Sequence, residues 1–203
     1  MAGAEAFNLA KLPALTDIVI DLRTDGVLPK ANRIDSVKGI FESDTGELLM
    51  QRQRARLDII TQRTSAVTML AGDSAELGSF SIVSTTRDAS FAASSLDGRN
   101  LADSRRLLAI IATNALNTGM SFNDSERREL IAIGHTPILV RTGVFDLRPT
   151  NAKVAGLKAW GLGMDGARKE EISVTADDQG RLRLVLDTSK TASPWLYYEI
   201  AER

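Results

Sequence analysis

The 203-residue chain has no cysteine and a single histidine, His135. Without thiols it forms no disulfide, carries no thiolate nucleophile and builds no cysteine-ligated zinc or iron–sulfur centre. One imidazole leaves a single way to assemble a Ser-His-Asp triad and excludes a multi-histidine metal site. No cofactor is expected. Aromatic residues are scarce, at 5%. Trp160, Trp195, Tyr197 and Tyr198 are all the Trp and Tyr there is. An excess of either charge is also missing: 25 Lys and Arg stand against 26 Asp and Glu, a formal net charge of −1. Such a chain projects no global field, so neither nucleic acid nor a membrane is expected as a partner. No apolar run approaches the roughly 18 residues that a membrane span needs. The opening residues MAGAEAFNLAKLPALTDIVI lack a basic stretch leading into a long apolar one, so no signal peptide is read there. If the parent protein is secreted or periplasmic, its export signal is expected outside this chain.

What is present is a globular composition, 43% apolar, broken by frequent turn sequences. Residues 1–35 read as an irregular connector with one strand at Ile18–Leu22, bounded by Pro13 and by Asp25-Gly26. Residues 36–203 read as one β domain. Ser43-Asp44-Thr45-Gly46 sits between apolar runs at Val37–Phe41 and Glu47–Gln51, with Asp and Gly where a tight turn uses them. Arg54–Thr61 alternates, setting Arg56, Asp58 and Ile60 against Ala55, Leu57 and Ile59. Further short runs lie at Ala66–Leu70, Phe80–Ser84 and Ala89–Ala93, the last leading into Ser95-Leu96-Asp97-Gly98. Ile138–Val140 and Val144–Leu147 read as hairpin partners across Arg141-Thr142-Gly143. Lys153–Leu162 alternates cleanly. Ile172–Ala176 and Arg181–Leu186 read as a hairpin across Asp177–Gly180, with Leu182, Leu184 and Leu186 on one face. Turn signals at intervals of about ten residues predict an all-β sandwich of roughly a dozen short antiparallel strands.

Two segments also admit helix. Asp103–Asn114 holds Leu107–Ala112, apolar on all sides, which suits a buried strand or a buried helix; strand is the preferred reading. Asn123–Ile133 starts with capping residues and reads as one short helical turn.

Four segments together resemble a known family. IFESDTGELLMQRQRARLDIITQRTSAVTML resembles the strand–SDTGE–strand hairpin that follows the catalytic barrel in a group of bacterial glycoside hydrolases. SLDGRNLADSRRLLAIIATNALNTGM, GHTPILVRTGVFDLRP and SPWLYYEI resemble the successive pieces of that module, in the same order from Ile40 to Ile200. Met50 and Gln51 stand where Trp and Asp are expected, and Gln62 where Pro is. The resemblance implies a C-terminal β-sandwich accessory domain beside a (β/α)-barrel, not the barrel, which residues 1–35 are too few to form. It implies a barrel domain or a polysaccharide as partner, and no catalysis by this chain itself.

Candidate chemistry is sparse. Glycoside hydrolysis needs two carboxylates held across a sugar, and Asp44 with Glu47, three apart and flanking a turn, is the candidate acid/base pair. Asp at such a turn also serves the local backbone, as does Asp97. Ser104 with Arg105 and Arg106 reads as an anion site or as a local cap with solvated arginines. His135 has no nucleophile and orienting group beside it in sequence. Sugar rings stack on exposed aromatic faces, so Trp160, Trp195 and Tyr198 are the candidate carbohydrate platform, with core packing as the competing role. Tyr197 and Tyr198 are adjacent, so in a strand one points inward and the other outward. Three functions follow: an accessory domain of a glycoside hydrolase, a carbohydrate-binding module, or a small glycoside-active enzyme.

Overall fold

The computed structural model describes residues 15–151, 156–176, 182–190 and 195–202. The first described element is a helix, α1 (Leu15–Thr24). This corrects the strand expected at Ile18–Leu22. Asp17 in the first turn and Arg23 in the last complement the helix dipole. Ile18, Val19 and Leu22 stack along a helix as readily as along a strand.

Apart from a 3-10 turn at Arg52–Arg54, the remaining regular elements of the described chain are β strands, as expected. One sheet has ten strands: β1 (Ile34–Asp35), β2 (Ile40–Glu42), β3 (Leu48–Gln51), β4 (Arg56–Ile60), β5 (Thr64–Met69), β8 (Ala89–Ser95), β9 (Arg106–Ala112), β15 (Leu157–Leu162), β16 (Arg168–Ile172) and β19 (Tyr197–Glu202). Their order across the sheet is β1-β2-β3-β4-β5-β8-β9-β19-β15-β16. The second sheet has five strands: β6 (Ala75–Glu76), β7 (Phe80–Thr85), β14 (Val144–Pro149), β17 (Thr175–Ala176) and β18 (Leu182–Asp187), in the order β17-β18-β14-β7-β6. Two ribbons form an arm between β9 and β14. They pair β10 (Ala115–Thr118) with β13 (His135–Val140), and β11 (Ser121–Phe122) with β12 (Leu130–Ala132).

The core lies between the two sheets. Phe80 and Phe91 meet across it with ring centroids 4.8 Å apart. Leu182, Leu184 and Leu186 face inward from β18 at 3%, 1% and 3% exposure, as their alternation predicts. Leu107, Ala109 and Ile111 of β9 lie opposite in the same cluster. Asp103–Asn114 is therefore strand where it is regular, and the SLDG turn joins β8 to β9 at the centre of the large sheet.

Three local expectations change. Asn123–Ile133 forms no helical turn: β12 pairs back on β11, and Asn123 and Glu129 hydrogen-bond across the connection. Val144–Leu147 does not pair with Ile138–Val140. β14 joins β7 and β18 in the core, while β13 turns outward to β10. Val37 is no strand residue; Asp35 Oδ1 accepts the Val37 and Lys38 N–H groups at 3.1 and 3.0 Å, closing a turn before β2. The Asp177–Gly180 turn, Arg181 and the stretch 153–155 lie outside the described residues.

Candidate functional site

The two candidate carboxylates, Asp44 and Glu47, lie at the β2–β3 turn. Asp44 sits in the exposed β2–β3 turn, where its carboxylate binds Arg23 at 2.8 Å and ties α1 to the sheet. Glu47 is exposed, and its backbone carbonyl accepts the Ile60 N–H. His135 is exposed on the arm, its Nδ1 2.7 Å from the Thr136 carbonyl. Among the described residues no group of three or more His, Cys, Asp or Glu is arranged to hold a metal, and no helix is long and apolar enough to cross a membrane.

The aromatic candidates scatter. Tyr198 is 3% exposed and faces the core. Its hydroxyl donates to the Trp195 carbonyl at 2.8 Å, and burial pushes its phenol pKa upward. It offers no face to a sugar, and Tyr197 is the outward member of the pair. Trp195 packs against the core edge over Gly161, where even a methyl group would collide with its ring at 2.3 Å. Its Nε1 donates to Glu170 at 2.8 Å. It lines a cleft of about 270 Å³ between β16 and β18, with Glu170, Glu171 and Asp187. Trp160 lies on the opposite, outer face of the large sheet, and the Arg168 guanidinium covers its ring at 3.7 Å. The three candidates therefore form no shared platform.

Asp97 and Ser104 together hold a loop. Asp97 accepts hydrogen bonds from Ser95, Ser104 and the Arg105 N–H at 2.9, 2.9 and 2.8 Å. Ser104 is fully buried. Asn151 Nδ2 donates to the Leu101 and Ser104 carbonyls beneath it. Burial works against the Asp97 charge, but these donors outweigh it and hold the carboxyl well below the usual range. The role is structural.

The unusual feature is the outer face of the large sheet. An antiparallel sheet with one side in solvent normally turns polar residues outward. Here β4 does the reverse. Arg56 and Asp58 point inward at 9% and 6% exposure, while Leu57 points outward at 38%. The inward pair is satisfied: Arg56 Nε meets Asp58 Oδ1 at 2.7 Å, and its Nη1 donates to the Ser74 carbonyl at 2.8 Å. The cause is architectural. The core cluster draws no residue from β1–β4. These strands overhang the smaller second sheet, and their inward side mixes Ile40, Leu49 and Ile60 with Asp35, Glu42, Gln51, Arg56 and Asp58. Their outer side is apolar at every paired position, from Ile34 and Phe41 to Leu57 and Ile59.

The register continues that face across the sheet. Leu48, Ile59, Ala66, Ala92, Ile110, Tyr197 and Leu162 stand in one row across seven strands. At ~4.8 Å per strand the row is about 30 Å long. A second row begins Ile34, Phe41, Met50, Leu57 and passes through Thr68, Ser90 and Ala112. Ile34, Leu48 and Met50 are 61%, 44% and 42% exposed. Charge appears on this face only toward β9–β16. There Glu199, 4% exposed, accepts Arg168 Nε at 2.5 Å and Arg106 Nε at 2.6 Å. Hydrogen bonding to Arg168 chiefly, and to Arg106, keeps its carboxyl below the ordinary range despite burial. The Arg54–Thr61 alternation carried the signal of this face, but which half pointed inward depended on the width of the second sheet.

Against family models, curated proteins and solved structures, the chain finds no match.

Proposed function

We propose that this chain is a non-catalytic β-sandwich accessory domain of a glycoside hydrolase, packed on its catalytic barrel through the outer face of the large sheet. The observation that carries this reading is the inverted overhang: β1–β4 keep charge on the inward side and present Ile34, Leu48, Met50 and Leu57 outward. An apolar face of this extent marks an interaction surface. The hydrolase assignment rests on the sequence resemblance, and the engagement of Asp44 by Arg23 is in keeping with a non-catalytic role. A (β/α)-barrel hydrolase encoded beside this chain, mixed with it, should co-elute in size exclusion. Leu57→Lys with Ile59→Lys should abolish the complex while leaving the circular dichroism unchanged. A wild-type chain that never associates with such a barrel would sink the reading.

A carbohydrate-binding role is favoured by one observation, the Trp195 cleft, whose carboxylates are acceptors for sugar hydroxyls. Affinity electrophoresis decides it: retardation by a polysaccharide, lost in Trp195→Ala, would support that role, and free migration through every polysaccharide tested would exclude it.

A further inference from the structure

The outer face is not flat. β5 and β8 place only small side chains on it: Thr64, Ala66 and Thr68, paired with Ser94, Ala92 and Ser90. Larger residues flank them, Leu57 and Ile59 on β4 and Leu108 and Ile110 on β9. The result is a trough of about 170 Å³, lined by Leu57, Ile59, Ala66, Ala92, Ile110 and Ala112 among others. Its flanking strands are three spacings apart, about 14 Å. An α-helix with its side chains is about 10–12 Å across. A second sheet laid face to face would span the flanking ridges and leave the floor empty, whereas a helix descends between them.

The sheet beyond one end of the trough is basic. Past Ile110 and Leu108 on the same face of β9 stands Arg106, outside the lined cavity, with a 60% exposed side chain whose Nε is used by Glu199. Arg168, at 44% exposure, shares that same carboxylate from β16. Two guanidinium groups thus share one carboxylate, a local surplus of positive charge. The opposite end is closed by Thr68, Ser90 and Ala112, which are uncharged. A helix C-terminus carries partial negative charge on its free carbonyls.

We propose that this trough seats one amphipathic α-helix of the partner protein, running along β5 and β8 with its C-terminal end at Arg106. Strands of six and seven residues span roughly 20–23 Å, which a helix of about 14 residues matches. The inference rests on the docking role of this face and specifies what enters it.

The test uses two synthetic 14-residue peptides of identical Leu, Ala, Glu and Gln composition with free C-terminal carboxylates. One has Leu at helical spacing and the other has Leu at alternate positions. Methyl NMR shifts of the full chain are followed during titration with each, alongside binding of an apolar fluorescent dye. The helical peptide should shift Ala66, Ala92, Ala112 and Ile110 at least tenfold more strongly than the alternating peptide at equal concentration. Ala92→Leu, which fills the floor, and Arg106→Glu, which reverses the charge at its end, should each weaken the response severalfold. Equal responses to both peptides, or shifts confined to the arm, would overturn the helix while leaving the docking face in place. Failure of the dye to bind wild type more than Leu57→Lys with Ile59→Lys would overturn both.

Discussion

Asp97 shows how a residue with an attractive sequence setting ends in a structural role. Its oxygens are met by two hydroxyls and by backbone N–H groups, which commits the carboxylate to holding the loop. The same geometry has a pH consequence. The folded state favours the ionised form, because its pKa lies below the ordinary value. The contribution is therefore complete above about pH 4, the unfolded range, and is lost as the pH falls toward the folded value. Asp97→Ala should cost about 1 kcal/mol near neutrality, since it removes the acceptor shared by Ser95, Ser104 and the Arg105 N–H, while the Ser104 hydroxyl keeps the Arg106 carbonyl. Asp97→Asn should flatten the fall in stability below pH 4. Urea denaturation of both variants from pH 2 to 7 checks this; an acid limb unchanged in Asp97→Asn would show that the proton is taken up elsewhere.

At the scale of the element, β4 is the strand on which the rest of the reading turns. Its two alternating sets were visible in the sequence, Arg56, Asp58 and Ile60 on one side and Ala55, Leu57 and Ile59 on the other. The usual rule would bury Leu57 and Ile59. The structure buries Arg56 and Asp58 instead, held by each other and by the Ser74 carbonyl. Asp58→Ala leaves a buried guanidinium without its carboxylate and should destabilise by about 3 kcal/mol or more. Replacing the pair together, Arg56→Met with Asp58→Leu, should recover most of that loss, because the cost lies in the unpaired charge. Thermal melts of the single and double variants measure it, and a double variant as unstable as Asp58→Ala would refute the explanation. The same strand shows what was legible beforehand. Strand existence and alternation in β4 and β18 followed from residues alone, because period-two patterns are local, whereas β9, apolar on all sides, fitted helix as well as the preferred strand. Inward and outward sense did not, because it depends on a second sheet that covers only part of the first. The helix α1 was missed because a run as short as Ile18–Leu22 fits both periods. Of the candidate site, the turn role of Asp97 was legible, and the split between Tyr197 and Tyr198 followed from adjacency; Asp44 instead binds Arg23 of α1, a contact 21 residues away that no local pattern announces, and the docking face needed the register.

The whole molecule is two sheets of unequal width, and its cohesion lies only where they overlap. The core cluster runs from Val67 to Ile200 but contains no residue of the arm between Ala112 and Val144. The arm instead exposes aliphatic side chains, with Ile131, Ile133 and Ile138 at 63%, 67% and 62%. Its two ends are already adjacent. The Arg141 N–H donates to the Asn114 carbonyl at 2.8 Å, and the Thr113 hydroxyl donates to the Arg141 carbonyl at 2.5 Å. The sandwich therefore needs the arm neither for its core nor to set the path from β9 to β14. Replacing residues 115–140 by an Asn-Gly turn should preserve the fold, since a two-residue turn of that kind closes an antiparallel pair. The apolar surface exposed by those isoleucines would be gone, so solubility should rise, while the melting temperature should move by only a few degrees. Cooperative thermal unfolding and near-ultraviolet circular dichroism of the shortened chain test this directly. Loss of the cooperative transition would mean that the arm supports the overlap region, and the division between a self-sufficient sandwich and surfaces that wait for a partner would have to be redrawn.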